Sequence, residues 1–245
     1  MNQMPGSEIV DSRWQGLYKI GGVTAIIIAV LLIGEIAVYA ISPRPITAIE
    51  YFAIFRDHWL AGLLYFDLLG MISYLLFVPT ILALYMALQR TNIATMIIAT
   101  ALFFIGIADF FATNTAFPML SLSSQYAVAK TDTERALFLT AGQTMITLFD
   151  ENAFLVSYVI VSAAWLLISA VMLRSNTFSR ITAYAGILAG TTGIVAVLLE
   201  HISANTLLIA VAFYFVAIVC LFIWVALVGR RLYQIGAINA TLHEH

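Results

Sequence analysis

The chain has 245 residues, of which 62% are hydrophobic and only 10% are charged. A soluble domain is usually about 45–50% apolar and about 25% charged. One aqueous core could not bury this excess of apolar residues, so lipid must cover part of the chain. The net charge of −2 and the lack of a long basic run exclude nucleic acid as a partner. With Cys220 as its single cysteine, the chain cannot form an internal disulfide or a cysteine-based metal motif.

Six long apolar runs predict transmembrane helices, since each approaches or exceeds the roughly 20 residues that cross the hydrocarbon layer. They cover residues 20–41, 59–88, 93–117, 150–173, 181–200 and 206–229. The runs lack the alternation of barrel strands. The predicted fold is therefore an all-α, polytopic six-helix bundle. Residues 18–233 form its single membrane domain, between a polar N-terminus (1–17) and a C-terminal tail (234–245). The first run is too long for a cleaved signal peptide.

Basic residues predict the orientation of the bundle in the plasma membrane. If the N-terminus is cytoplasmic, seven Lys and Arg residues flank the inner ends of the spans and four flank the outer ends. The inner set is Arg13, Lys19, Arg90, Arg174, Arg180, Arg230 and Arg231, and the outer set is Arg44, Arg56, Lys130 and Arg135. Basic residues favour the cytoplasmic side. Both termini are therefore predicted to be cytoplasmic.

The two long connections, 42–58 and 118–149, are predicted to be on the outer side. In the first, Pro45 suits an initial helical turn, and apolar residues from Ile46 to Phe55 recur at helical spacing. In the second, Thr131-Asp132-Thr133-Glu134 has the form of a capping box and predicts the start of a helix. We expect two short interfacial helices on the outer face; ordinary structured loops are the alternative.

Acidic residues gather at one depth of the predicted bundle. Five of the six spans bring a carboxylate close to the outer boundary: Glu35, Asp67, Asp109, Glu151 and Glu200, with Asn114 beside them. A charged residue in the middle of a spanning helix costs about 2.5–3.5 kcal/mol. Such a layer therefore needs a proton, a counter-ion, water or a metal ion. The alternative is hydrogen bonding that only holds helices together.

The triplet Asp150-Glu151-Asn152 opens the fourth predicted span. At α-helical spacing, Glu151 shares a face with Tyr158, Ser162 and Ser169, which predicts that Glu151 points into the bundle. Asp150, about 100° round the helix, is expected to cap the helix start or to meet Arg135. In other spans, Pro79 predicts a kink, and Gly186 and Gly190 form a Gly-x-x-x-Gly stripe that predicts close helix packing, including a homo-oligomer contact.

Two groups of short motifs resemble a known family. They are Tyr126-x-x-Ala129 with Glu134-Arg135-Ala136 and Ala141-Gly142-Gln143, and Val156-Ser157-Tyr158 with the segment from Leu167 to Leu188. Together they resemble a family of small bacterial and archaeal integral membrane proteins that is defined as a domain of unknown function. The resemblance implies a six-helix fold and no particular activity.

Three functions are compatible with this pattern. The first is binding or transport of a cation or a small amphipathic ligand in an acidic cavity lined by Glu35, Asp67, Asp109, Asn114, Glu151, Tyr158, Ser162 and Glu200. The second is a lipid hydrolase in which His58, His201 and Glu151 hold a divalent metal ion as cofactor. The third is a non-catalytic assembly or sensory partner. No catalytic residue set is predicted, and the expected partners are the lipid bilayer and a small ligand.

Overall fold

The structure is a computed structural model, and it describes residues 12–41, 44–202 and 206–241. Helices make up 89% of the structure, and the described residues contain no strand. In chain order the helices are α1 (Gln15–Ile41), α2 (Ala48–Asp57), α3 (Trp59–Tyr65), α4 (Leu68–Leu88), α5 (Ile93–Thr113), α6 (Ala116–Val128), α7 (Asp132–Leu148), a π-helical segment (Phe149–Val156), α8 (Ser157–Met172), α9 (Arg180–Ile202) and α10 (Leu207–Thr241).

Six helical stretches are long and apolar enough to cross a membrane. They are Gln15–Val38, Leu68–Leu88, Ile93–Val128, Asp132–Met172, Arg180–Ile202 and Leu207–Ala237. This finding confirms the predicted multi-pass all-helical fold. The last helix continues to Thr241, so it includes most of the predicted C-terminal tail. Residues 1–11 and 242–245 of the predicted terminal segments lie outside the described residues.

The connection predicted as 118–149 differs most from expectation. It contains α6, which the sequence analysis did not predict, followed by α7. The predicted capping box is confirmed, because the Thr131 hydroxyl accepts the Glu134 N–H at 3.2 Å and the Glu134 side chain accepts the Thr131 N–H at 3.1 Å. The helix of the first connection begins at Ala48, after Pro45, and has its own capping box of Thr47 and Glu50.

The chain divides into two compact units. Unit 1 contains the described residues within 1–30, 74–106 and 159–245, and unit 2 contains Leu31–Ser73 and Ile107–Tyr158. In unit 1, the rings of Phe77, Phe103 and Trp165 are in mutual contact, with centroids 5.5–6.3 Å apart. In unit 2, α2 packs against α3, α6 and α7.

The glycine stripe of α9 is buried inside unit 1. A Cβ at Gly190 would lie 2.7 Å from Leu166 Cγ and 2.9 Å from the Ser162 carbonyl oxygen, both on α8. A Cβ at Gly186 would overlap Ser169 Oγ and lie 2.6 Å from the Trp224 ring. These glycines therefore pack helices of the same chain against one another, and a homo-oligomer contact through them stays a prediction.

Candidate functional site

Three of the predicted spans are interrupted within unit 2. The predicted span 59–88 is two helices, with a break at Phe66–Asp67 that lies well before Pro79. A second break, at Asn114–Thr115, separates α5 from α6. The third interruption is the π-helical segment between α7 and α8. Membrane proteins tolerate irregular backbone where it is buried in protein or lines a water-filled cavity. The interruptions therefore make unit 2 the candidate location of a functional site.

The interruptions are in contact with one another. The Asn114 side-chain amide donates a hydrogen bond to the Phe66 carbonyl oxygen at 3.2 Å. The Thr115 hydroxyl donates to the Met145 carbonyl oxygen at 2.9 Å, in the last turn of α7. The Phe66 ring packs edge-on against the Phe149 ring at 5.1 Å. Side chains therefore satisfy carbonyl groups near the helix ends, and the breaks form one connected region.

Asp67 holds the first break in its conformation. Its φ of 61° is in the left-handed region, which is unfavourable for residues with a Cβ, although less so for Asn and Asp than for the others. Its carboxylate Oδ1 accepts the N–H of Gly70 at 3.1 Å and so caps the start of α4. A Cβ at position 70 would overlap that carboxylate. Asp67 thus has a structural role in addition to its charge.

Glu35 of α1 is the second carboxylate of the site. Its Oε1 accepts a hydrogen bond from the Ser73 hydroxyl at 3.5 Å. It is also close enough to Asp67 for the two negative charges to repel each other. Among the described residues, neither carboxylate forms an ion pair with a Lys, Arg or His side chain. Two adjacent carboxylates thus lack a direct counter-ion, which is costly away from bulk water.

Arg44 supplies a positive charge that acts on this site. Its Nη2 donates to Asp150 Oδ1 at 2.6 Å, its Nε donates to the Tyr51 hydroxyl at 2.9 Å, and its guanidinium lies 5.2 Å from the centre of the Phe149 ring. Its charge also acts on Asp67. We name Glu35, Asp67, Ser73, Arg44, Tyr51 and Asp150 the carboxylate cluster. All six belong to unit 2.

Burial and hydrogen bonding determine the charge states of Arg44 and Tyr51. Burial alone would lower the pKa of Arg44, but Tyr51 and Asp150 more than offset it and raise this pKa above its ordinary range. Burial raises the pKa of Tyr51, and Arg44 opposes that rise only in part. Arg44 is therefore charged at every physiological pH, and the Tyr51 phenol is neutral and accepts its hydrogen bond.

The π-helical segment contains Asp150 and Glu151 and changes the helical register from which their orientations were predicted. Its wider i→i+5 turns invalidate the α-helical spacing that put Glu151 on one face with Tyr158. Glu151 is exposed, where an inward position was predicted. Asp150 was predicted to cap the helix or to meet Arg135, but it forms its ion pair with Arg44. Arg135 instead lies 4.0 Å from Asp132.

The remaining predicted site residues are divided between the units. Asp109 lies in unit 2, and its buried Oδ2 has no hydrogen-bond partner within the described part of the chain. Tyr158, also in unit 2, stacks on Phe154 at 5.9 Å. Ser162 and Glu200 belong to unit 1, where the Tyr214 hydroxyl donates to Glu200 Oε2 at 2.7 Å.

The predicted histidine–carboxylate metal site gains no support. Within residues 12–41, 44–202 and 206–241, no three His, Cys, Asp or Glu side chains are close enough to hold a metal ion together. His58 belongs to unit 2 and His201 to unit 1. The Nδ1 of His201 donates to the Val197 carbonyl oxygen at 2.7 Å, a bond within its own helix. The metal site stays a prediction.

Comparisons of the chain with protein-family models, curated proteins and solved structures found no match. The family resemblance therefore stays a prediction, and the candidate site is defined by its geometry alone.

Proposed function

We propose that this multi-pass membrane protein binds a small cation at Glu35 and Asp67. The term small cation covers both a proton and larger monovalent ions. One observation carries the proposal: Glu35 of α1 and Asp67, which lies in the break between α3 and α4, are adjacent carboxylates, and neither has an ion-pair partner among the described residues. A bound cation would offset their mutual repulsion. Interrupted helices are also where membrane transporters bind ions, because helix ends provide free backbone dipoles.

Arg44 does not replace the cation. Its guanidinium is bonded to Asp150 and Tyr51, so its charge is largely balanced by Asp150 and reaches Asp67 only at longer range. The net charge of the carboxylate cluster is therefore negative when Glu35 and Asp67 are both ionised. A cationic ligand complements such a cluster, whereas an anionic ligand would be repelled.

We further infer that α2, α6 and the first part of α7 cover the site on the outer side of the plasma membrane, with both termini cytoplasmic. The 41 residues of Asp132–Met172 are about twice the number that crosses the hydrocarbon layer. The Ser123 hydroxyl donates to the Phe52 carbonyl oxygen at 3.1 Å and joins α6 to α2. On α2, Phe52 and Phe55 are buried and Ile49 is exposed, which suits a helix at an interface.

The test is cation-dependent thermal stability of the purified protein in lipid nanodiscs. A ligand at 100 times its dissociation constant adds about 2.7 kcal/mol to the stability of the folded state. Na⁺, K⁺, an organic ammonium ion and a pH series are the probes. We expect one of them to raise Tm by several degrees, and we expect Glu35→Gln and Asp67→Asn to abolish the increase.

The variants are chosen so that loss of binding can be separated from loss of folding. Asn tolerates the left-handed conformation of residue 67 and keeps an oxygen that can accept the Gly70 N–H. Glu200→Gln in unit 1 is the matched control and should respond to the cation as the original chain does. If no probe raises Tm, or if Glu35→Gln and Asp67→Asn retain the full increase, the proposed function is wrong.

A further inference from the structure

The basic residues of unit 1 all lie at or near one end of its helices. Each is close to the start or the end of a stretch that is long and apolar enough to cross a membrane. We name the following set the basic end: Arg13, Lys19, Arg90, Arg174, Arg180, Arg230 and Arg231.

The packing of α1 against α4 brings two parts of the basic end to the same level. The hydroxyls of Thr24 and Thr80 are hydrogen-bonded at 2.9 Å, and a Cβ at Gly21 would lie 2.6 Å from the Cβ of Ala83. Later residues of α1 therefore meet earlier residues of α4, so the two helices are antiparallel. The first turn of α1 is level with the end of α4, where Arg90 follows.

The helix α10 joins the remaining parts of the basic end. Arg231 Nε donates to the carbonyl oxygen of Thr177 at 2.7 Å, in the connection between α8 and α9. The other two arginines of that region lie on either side of this connection. A Cβ at Gly236 would lie 2.7 Å from Lys19 Cγ, so α10 also meets the first turns of α1. Side chains that are far apart in the sequence thus share one end of unit 1.

The positive charge of the basic end has no acidic complement in the described part of unit 1. Five of its arginines are exposed: Arg13, Arg90, Arg174, Arg180 and Arg230. The single acidic residue of this part is Glu200, which is near the opposite end of α9 and accepts a hydrogen bond from the Tyr214 hydroxyl. The basic end therefore presents a surface of one sign of charge.

The position and the chemistry of this surface identify its partner. Basic residues that border spanning helices lie at the depth of the lipid headgroups, and such clusters attract anionic lipids. The planar guanidinium group can donate two parallel hydrogen bonds to one phosphate. A phosphate group attached to a lipid is held beside the helix ends by its acyl chains, whereas a free phosphate ion is not.

We propose that the basic end of unit 1 binds the headgroups of anionic phospholipids in the adjacent leaflet. The surface shares no residue with the carboxylate cluster, so the proposal does not depend on the proposed cation binding.

Selective retention of lipid by the purified full-length protein tests the proposal. The protein is exchanged into detergent micelles that contain equal amounts of phosphatidylglycerol and phosphatidylcholine. The lipids that stay bound through size-exclusion chromatography are extracted and quantified by mass spectrometry. We expect preferential retention of the anionic phosphatidylglycerol at low salt. Raising NaCl to about 0.5 M should reduce this preference, because salt screens exposed charges.

A triple variant, Arg174→Gln with Arg180→Gln and Arg230→Gln, assigns the preference to the basic end. These three side chains are exposed and form no ion pair among the described residues. Each Lys or Arg near an anionic surface strengthens binding about fivefold at low salt. We expect the three changes together to lower the preference by at least about fivefold. The Tm in phosphatidylcholine alone should stay within about 2 °C of the original value.

Two further triple variants are the controls. Replacing the same three arginines by Lys keeps the charge and should keep most of the preference, whatever the effect of the Gln variant on folding. Replacing Arg56, Lys130 and Arg135 by Gln removes the same charge from exposed positions of unit 2 and should leave the preference intact.

Three results would overturn the proposal. One is equal retention of the two lipids by the original chain. Another is an equal loss of preference in the Gln variants of unit 1 and unit 2, which would make it an effect of net charge. The third is stronger displacement of the lipid by inorganic phosphate than by NaCl at the same ionic strength, which would indicate a site for free phosphate.

Discussion

Gly22→Ala is expected to lower the stability of the folded protein by about 3 kcal/mol or more, at or beyond the upper end of what overpacking a core usually costs. The Cβ of an alanine at this position would lie 2.6 Å from the backbone nitrogen of Tyr233 and 2.9 Å from the carbonyl oxygen of Gly229. Both atoms belong to the backbone of α10, so no side-chain rotation relieves the overlap. The axes of α1 and α10 must move apart.

Gly16→Ala is the matched control, since it makes the same substitution in the same helix. Nothing lies within 4 Å of the position that its Cβ would take. The gain in helix propensity from Gly to Ala, up to about 1 kcal/mol, should leave this variant as stable as the original chain or more so. Thermal unfolding in detergent and the yield of folded protein measure both variants. Equal stabilities for Gly22→Ala and Gly16→Ala would contradict the described packing of α1 against α10.

Arg44→Met is expected to destabilise the protein by about 1–3 kcal/mol, between the values for exposed and for buried ion pairs. The change leaves Asp150 without its counter-ion and removes the hydrogen bond to the Tyr51 hydroxyl. The side chains of Arg44 and Asp150 are 31% and 40% exposed, so water can partly solvate the remaining carboxylate. The expected loss is therefore smaller than for a fully buried pair.

Two further variants identify the cause of the Arg44→Met effect. Arg56→Met removes an arginine whose ion pair with Asp57 is 67% and 57% exposed, and it should change stability by no more than about 0.5 kcal/mol. Adding Asp150→Asn to Arg44→Met removes the uncompensated charge and should restore part of the stability. The described ion pair would be refuted if Arg44→Met were as mild as Arg56→Met, or if the double variant were no more stable than Arg44→Met alone.

The amino-acid sequence by itself determined the class of fold. Lipid imposes helices of about 20 apolar residues, and runs such as Ile93–Thr113 and Arg180–Ile202 satisfy that requirement without any tertiary contact. The helix start at Thr131 was equally predictable, because a capping box joins residues only three positions apart. Glu35 and Asp67 were predicted to be costly in a membrane, and that prediction rests only on their charge and their position along the apolar runs.

The tertiary structure decided which polar groups meet. Arg44 and Asp150 are 106 positions apart, and the Asn114 amide reaches the Phe66 carbonyl across 48 positions. No local pattern encodes such partners. The break at Phe66–Asp67 and the π-helical turns around Glu151 likewise depend on neighbours that satisfy the released backbone groups. The helical periodicity of the sequence therefore does not predict them. For this reason the sequence could identify acidic residues as candidate site residues, but it could not predict which groups they contact or how they are oriented.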